Sequence, residues 1–81
     1  MENLGALEKH ALDLMKNADF GDEAIRVNEA IVAAAPRNER AWTRLGRCRM
    51  EQRQFDAAIE ALRTGRRTAV SMPERPDFYA K

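Results

Sequence analysis

The stretch of sequence that decides the fold is residues 42–58, WTRLGRCRMEQRQFDAA. Its large apolar residues are Trp42, Leu45 and Phe55, and its small residues are Gly46 and Ala58. The apolar positions recur at helical spacing on both sides of a short polar run, which predicts two helices joined by a turn. Small residues let two helices cross closely, so we expect Gly46 and Ala58 at the crossing, with the three large side chains filling the space around it.

The same helical period extends through the rest of the chain, and no stretch alternates as a half-buried strand would. We predict a first helix from about Leu4 to Ala18 and a second that is capped by Asp19 and ended by Pro36. Asn38 caps the third helix, and a turn at 52–54 leads to the fourth. Short turns force antiparallel neighbours, so the sequence predicts an all-α fold of two stacked antiparallel helical hairpins. The hairpins are expected at about 4–35 and 38–70, in a domain of residues 1–70 followed by a proline-containing tail, 71–81.

The two hairpins share a repeat. Ala24-Ile25 and Ala58-Ile59 coincide at a spacing of 34, whereas Phe20 and Phe55 align at 35 and imply an extra residue near Gly21. If the spacing is 35, Leu7 corresponds to Trp42, and if it is 34, Glu8 does.

A two-helix unit of this period resembles the tetratricopeptide repeat. Trp42, Leu45-Gly46, Phe55 and Ala58 fall where that family places Trp, Leu-Gly, an aromatic residue and Ala. Pro36 resembles the closing proline of a preceding repeat, and Ala24 takes the small-residue position of the first hairpin.

The resemblance implies a non-enzymatic module for protein–protein interaction. In such repeats the first helix of each hairpin lines a concave face that holds extended peptides or helices. The expected partner-binding residues on this face are Arg40, Thr43, Arg44, Arg47 and Met50, joined by Lys9 and Lys16 from the first hairpin. Arg40, Arg44 and Arg47 follow helical spacing, so they are expected to form one stripe that favours an acidic peptide or partner segment. The alternative interpretation is a solvated surface, since surface charges often contribute little.

Composition excludes several classes of function. The chain has 81 residues, a net charge of +1, one cysteine and one histidine. Cys48 and His10 cannot make a disulfide or a zinc site, and no glycine-rich phosphate loop is present, so we expect no cofactor, no metal and no enzyme activity. No apolar run approaches the length of a membrane span, and no secretory signal begins the chain, so we expect a cytoplasmic protein.

The two halves of the chain differ in net charge, and several kinds of partner remain as alternatives. Residues 1–36 carry three basic and seven acidic residues, a net −4, and residues 37–81 carry eleven and six, a net +5. Nucleic acid is the weaker candidate partner, since Trp42, which lies among the arginines, is expected to pack in the core and not to stack on bases. A homodimer through the last helix is an alternative, because Ile59, Leu62 and Val70 are expected to be uncovered there. A further alternative is the regulatory N-terminal part of a larger enzyme.

Overall fold

A computed structural model describes residues 3–70, and all regular structure in this range is helical. The four helices are α1 (Leu4–Lys16), α2 (Asp22–Ala34), α3 (Glu39–Glu51) and α4 (Phe55–Val70). The predicted all-α fold of helical hairpins is confirmed. The predicted tail, 71–81, lies outside the described residues, and the division at residue 70 stays a prediction.

The first helix of each hairpin begins and ends in the same way, 35 residues apart. Asn3 and Asn38 are the N-caps of α1 and α3, and each side chain accepts a hydrogen bond from the backbone of the residue three positions later. Two residues after each helix ends, one residue adopts the left-handed conformation: Ala18 with φ 54° and Arg53 with φ 62°. The backbone amide of the next residue donates to the carbonyl five residues earlier. These hydrogen bonds run from Asp19 to Leu14 and from Gln54 to Arg49. This spacing of 35 equates Leu7, not Glu8, with Trp42.

The extra residue of the first hairpin is Gly21. Phe20 precedes α2, whereas Phe55 is the first residue of α4. Gly21 is the extended N-cap of α2 and makes no side-chain hydrogen bond, so the expectation that Asp19 caps this helix is wrong. The Asp19 carboxylate accepts from the Gly21 amide at 3.1 Å and closes the turn before the helix. Beyond Gly21 the spacing is 34, and Ala24 and Ala58 are both fully buried.

The second hairpin is held by close contact between α3 and α4. A Cβ atom at Gly46 would lie 2.8 Å from the Leu62 side chain and 3.4 Å from the Ala58 carbonyl. A Cβ atom at Gly65 would lie 2.5 Å from Trp42 Cβ. Because the later residue on α4 meets the earlier residue on α3, the two helices are antiparallel. A Cβ atom at either position would overlap a side chain of the facing helix, so glycine lets the two helices approach closely.

Two apolar clusters form the core. The first joins α1 to α2 and the start of α3, and its buried residues are Leu7, Ala11, Val27, Ile31, Val32 and Ala41. The second joins α2, α3 and α4, and its buried residues are Ala24, Ile25, Leu45, Cys48 and Ala61. Trp42 and Leu14 are partly buried against both clusters. The Trp42 indole also donates to the carbonyl of exposed Pro36 at 2.8 Å. The core is therefore continuous across the two hairpins.

Phe55 departs from the sequence prediction. We expected its ring to fill space around the helix crossing, but it is 56 % exposed. The cause is its position as the first residue of α4, one turn before Ala58 and Leu62 pack against Gly46.

The glycines of α3 and α4 give a first prediction. Gly65→Ala should lower the free energy of unfolding by about 1–2 kcal/mol, because overpacking against Trp42 outweighs the higher helix propensity of alanine. Gly46→Ala should cost less, because the half-buried Leu62 side chain can move. Gly5→Ala is the matched control: a Cβ there meets only the Asn3 side chain, at 3.4 Å, so no loss is expected. Urea unfolding measures all three, and equal effects at Gly65 and Gly5 would contradict the packing.

The left-handed turn residues give a second prediction. Ala18→Gly and Arg53→Gly should each raise the free energy of unfolding by about 1 kcal/mol, because glycine adopts positive φ without steric cost. Arg63→Gly, inside α4, is the control and should lower it by about 1 kcal/mol. Thermal and urea unfolding test the expectation, and a loss of stability at both turns would refute it.

Candidate functional site

A groove opens between α1 and α3. Its volume is about 390 Å³, and its lining residues are Leu12 and Met15 of α1 and Glu39, Arg40, Thr43 and Arg44 of α3. The α1 wall is apolar, and Leu12 is 52 % exposed on it. The α3 wall is polar and charged. The groove can therefore accept an apolar side chain on one wall and a hydrogen-bonding or charged group on the other.

Arg40 is the available cation of this groove. It is exposed and has no ion pair or hydrogen bond with any residue in the described range, 3–70. Thr43, beside it, donates its hydroxyl to the Glu39 carbonyl at 2.9 Å, which leaves the hydroxyl oxygen as an acceptor. The Glu39 carboxylate lies in the first turn of α3, where the helix dipole favours a negative charge.

Arg44 corrects the sequence prediction. It was expected in an exposed stripe with Arg40 and Arg47, but its side chain is only 10 % exposed. Its Nη2 donates to Glu8 Oε1 at 2.6 Å, and its Nε donates to Asn28 Oδ1 at 2.8 Å. The guanidinium is thus held by the protein itself, at the base of the groove.

The partners of Arg44 belong to a polar network that sequence reasoning missed. Fully buried Asn28 donates from its amide to the Ala24 carbonyl at 2.9 Å, so both ends of its side chain are used. Asn38 donates to the second Glu8 oxygen at 2.9 Å while it caps α3. The network therefore ties α1, α2 and α3 together. Its one signal in the sequence was a polar residue, Asn28, among the apolar positions of α2.

The remaining predicted binding residues lie outside the groove lining. Arg47 is exposed, but its Nε donates to Glu51 at 3.0 Å and its guanidinium carbon lies 4.7 Å from the centre of the Phe20 ring. Met50 is 45 % exposed, and Lys9 and Lys16 are exposed on α1. The structure therefore brings Arg40, Thr43 and Arg44 together and adds Leu12, Met15 and Glu39, which were not predicted to bind.

Three titratable residues outside the groove are paired with neighbouring side chains or buried: Glu23, His10 and Cys48. Two hydrogen bonds from Arg26, at 2.9 and 2.7 Å, hold the pKa of exposed Glu23 at about 2, well below its ordinary value. His10 Nε2 lies 3.3 Å from the same carboxylate. Burial raises the pKa of the Cys48 thiol, which makes it a weak nucleophile. Residues 3–70 hold no group of acidic, His or Cys side chains that could bind a metal ion. No helix within the same range is long and apolar enough to cross a membrane.

The buried network gives a third prediction. Asn28→Ala should lower the free energy of unfolding by about 1–3 kcal/mol, because it leaves the Arg44 Nε buried without a partner. Arg44→Met should also be destabilising, because it leaves the Asn28 oxygen unpaired. The combination of Arg44→Met with Asn28→Ala should cost less than the two single changes added together, because both polar groups are removed at once. Chemical unfolding of the four proteins tests this, and additive losses would argue against the network.

Comparison with known proteins agrees with the helical arrangement. A family model described as tetratricopeptide repeat matches residues 21–75, which include all of α2, α3 and α4. No curated protein and no solved structure matched the chain. The match covers more than half of the sequence, and it includes the close α3–α4 contact and the stacking of α2 on α3. The chain therefore belongs to the tetratricopeptide repeat family.

Proposed function

We propose that this chain is a protein–protein interaction module that binds a partner segment in the groove between α1 and α3. Tetratricopeptide repeats are generally non-catalytic interaction modules, and family membership supports that general role. The geometry of the groove supports a narrower proposal about what the partner segment carries.

The proposed partner segment is amphipathic. An apolar side chain would cover Leu12 and Met15, which are accessible on the α1 wall. Burying such contacts contributes roughly 25 cal/mol per Å² of apolar surface. A carboxylate beside that side chain would reach the opposite wall, where Arg40 lies. A segment that combines a large apolar residue with an adjacent acid is therefore the partner that fits both walls.

The observation that carries the acidic preference is that the Arg40 guanidinium has no partner among residues 3–70. Glu8 neutralises Arg44 and Glu51 neutralises Arg47, so neither offers an unpaired charge to a ligand. Arginine suits a carboxylate because its planar fork can donate two parallel hydrogen bonds. Lys9 and Lys16, exposed on α1, add positive potential that would steer an acidic segment towards the groove.

The proposal is tested with a short fluorescein-labelled peptide that carries one leucine flanked by glutamates. Arg40→Glu should weaken its binding by at least about tenfold, because the change replaces attraction by repulsion at the contact. Leu12→Ser should also weaken binding, because it removes apolar contact on the opposite wall. Fluorescence anisotropy gives the Kd, and circular dichroism shows whether each variant keeps its helices.

Two matched controls make the test specific. Arg67→Glu makes the same charge change at an exposed residue of α4, outside the groove, and should leave the Kd nearly unchanged. A peptide with glutamines in place of the glutamates should bind weakly to every variant. The proposal fails if Arg67→Glu weakens binding as much as Arg40→Glu. It also fails if a single-stranded oligonucleotide displaces the peptide from wild-type protein while the glutamine peptide binds equally well.

Two broader proposals accompany this one. A single thiol, buried and free, fits a reducing compartment, so we propose a cytoplasmic location. Self-association through α4 and a place in a larger enzyme stay predictions of the sequence.

A further inference from the structure

The outer face of α4 combines uncovered apolar residues with arginines. We define this α4 outer face by Phe55, Ile59, Arg63 and Arg66, which follow one another at helical spacing. Phe55 is 56 % exposed and Ile59 is 47 % exposed. Both arginines are exposed and have no partner among residues 3–70. Two exposed apolar side chains are thus continued by two arginines that are unpaired within residues 3–70, and such a patch can mark an interaction surface.

The first hairpin shows what such a face binds, because α3 covers the same positions of α2. Ile25 lies 34 residues before Ile59, and it is only 8 % exposed within an apolar cluster that includes Leu45 and Cys48 of α3. Phe20 lies 35 residues before Phe55 and is half-buried. The apolar part of the α4 outer face therefore has the form of a surface that accepts a helix.

The polar contacts of α3 with the first hairpin fix where the covering helix lies. The Arg47 guanidinium covers the Phe20 ring, and the Gln52 amide donates to the Phe20 carbonyl at 3.0 Å. Further along α2, Glu29 accepts a 2.7 Å hydrogen bond from Arg49. The covering helix, α3, thus places apolar residues near Ile25. Directly after Cys48 it places Arg49, whose charge is opposite to that of Glu29.

On α4, the residue that corresponds to Glu29 carries the opposite charge. Arg63 stands 34 residues after Glu29, and Arg66 stands 34 residues after buried Val32. A helix that lies on α4 as α3 lies on α2 would therefore need an acid where α3 has Arg49. A second copy of α3 does not satisfy this requirement, because its Arg49 would face Arg63.

From this register we infer that the α4 outer face binds an amphipathic helix of a partner protein that carries two apolar residues three positions apart, followed directly by an acid. The apolar pair contacts Ile59 and Phe55, as Leu45 and Cys48 contact the first hairpin. The acid forms a charge-assisted hydrogen bond with Arg63. This surface lies on a different helix from the groove, and the inference does not rest on the peptide proposed there.

The test uses two helical peptides built from residues 38–52 of this chain. Both carry Arg44→Leu, because α4 has half-buried Leu62 where α2 has Asn28, the partner of Arg44. The acidic peptide also carries Arg49→Glu, and its matched control keeps Arg49. Titration into ¹⁵N-labelled wild-type protein should shift the amides around Ile59, with the acidic peptide binding about tenfold more tightly.

A charge reversal at Arg63 distinguishes a specific contact with the peptide acid from non-specific electrostatic attraction. Arg63→Glu should reverse the preference, so that the control peptide binds more tightly than the acidic one. Arg40→Glu, in the groove, should change neither affinity, so failure here is distinguishable from failure of the groove proposal. Equal affinities, or no saturable shifts up to millimolar peptide, would overturn the inference.

Other occupants of the face are also outcomes that would overturn it. Concentration-dependent sedimentation that Ile59→Glu abolishes would assign the face to a second copy of the chain. Peptide binding that appears only after Phe78→Ser and Tyr79→Ser would assign it to the chain's own C-terminal segment.

Discussion

The stacking of the two hairpins depends on one buried guanidinium. Arg44 reaches from α3 to Glu8 on α1 and to Asn28 on α2, so a single side chain sets the positions of three helices. Removing such a charge from water is costly, and a buried ion pair is often no more stabilising than an apolar contact of the same size. Its advantage is geometric, because the hydrogen bonds are satisfied in only one register of α3 against the first hairpin.

The molecule has two kinds of helix contact, one within a hairpin and one between the two hairpins. Within the second hairpin, Gly46 and Gly65 let α3 and α4 approach closely, and they face the apolar side chains of Leu62 and Trp42. Between the hairpins, apolar residues such as Ile25 are interspersed with polar bonds from Arg44 and Arg49. The first contact makes the second hairpin compact, and the second contact sets how one hairpin lies on the other.

The same interaction shapes the groove. Because Arg44 is drawn to Glu8, its charge is neutralised at the base of the space between α1 and α3. Within the part of the chain that the structure describes, the groove wall is left with Arg40 as its unpaired cation, opposite Leu12 and Met15. A surface that would have been strongly basic, had all the arginines been free, is instead amphipathic. The partner chemistry therefore depends on which arginine the fold has already paired.

The sequence alone determined the helices, the hairpin contact and the family, because these follow from local signals: helical period, Asn38 as a cap, and small residues such as Gly46. It did not show that Arg44 is buried or that Phe55 is exposed. Helical spacing places residues on a common face but does not say which of them meet a partner from a distant part of the chain. Glu8 precedes Arg44 by 36 residues, and only the stacked hairpins bring the two charges within bonding distance. Tertiary structure therefore decided which cations remain available to a ligand.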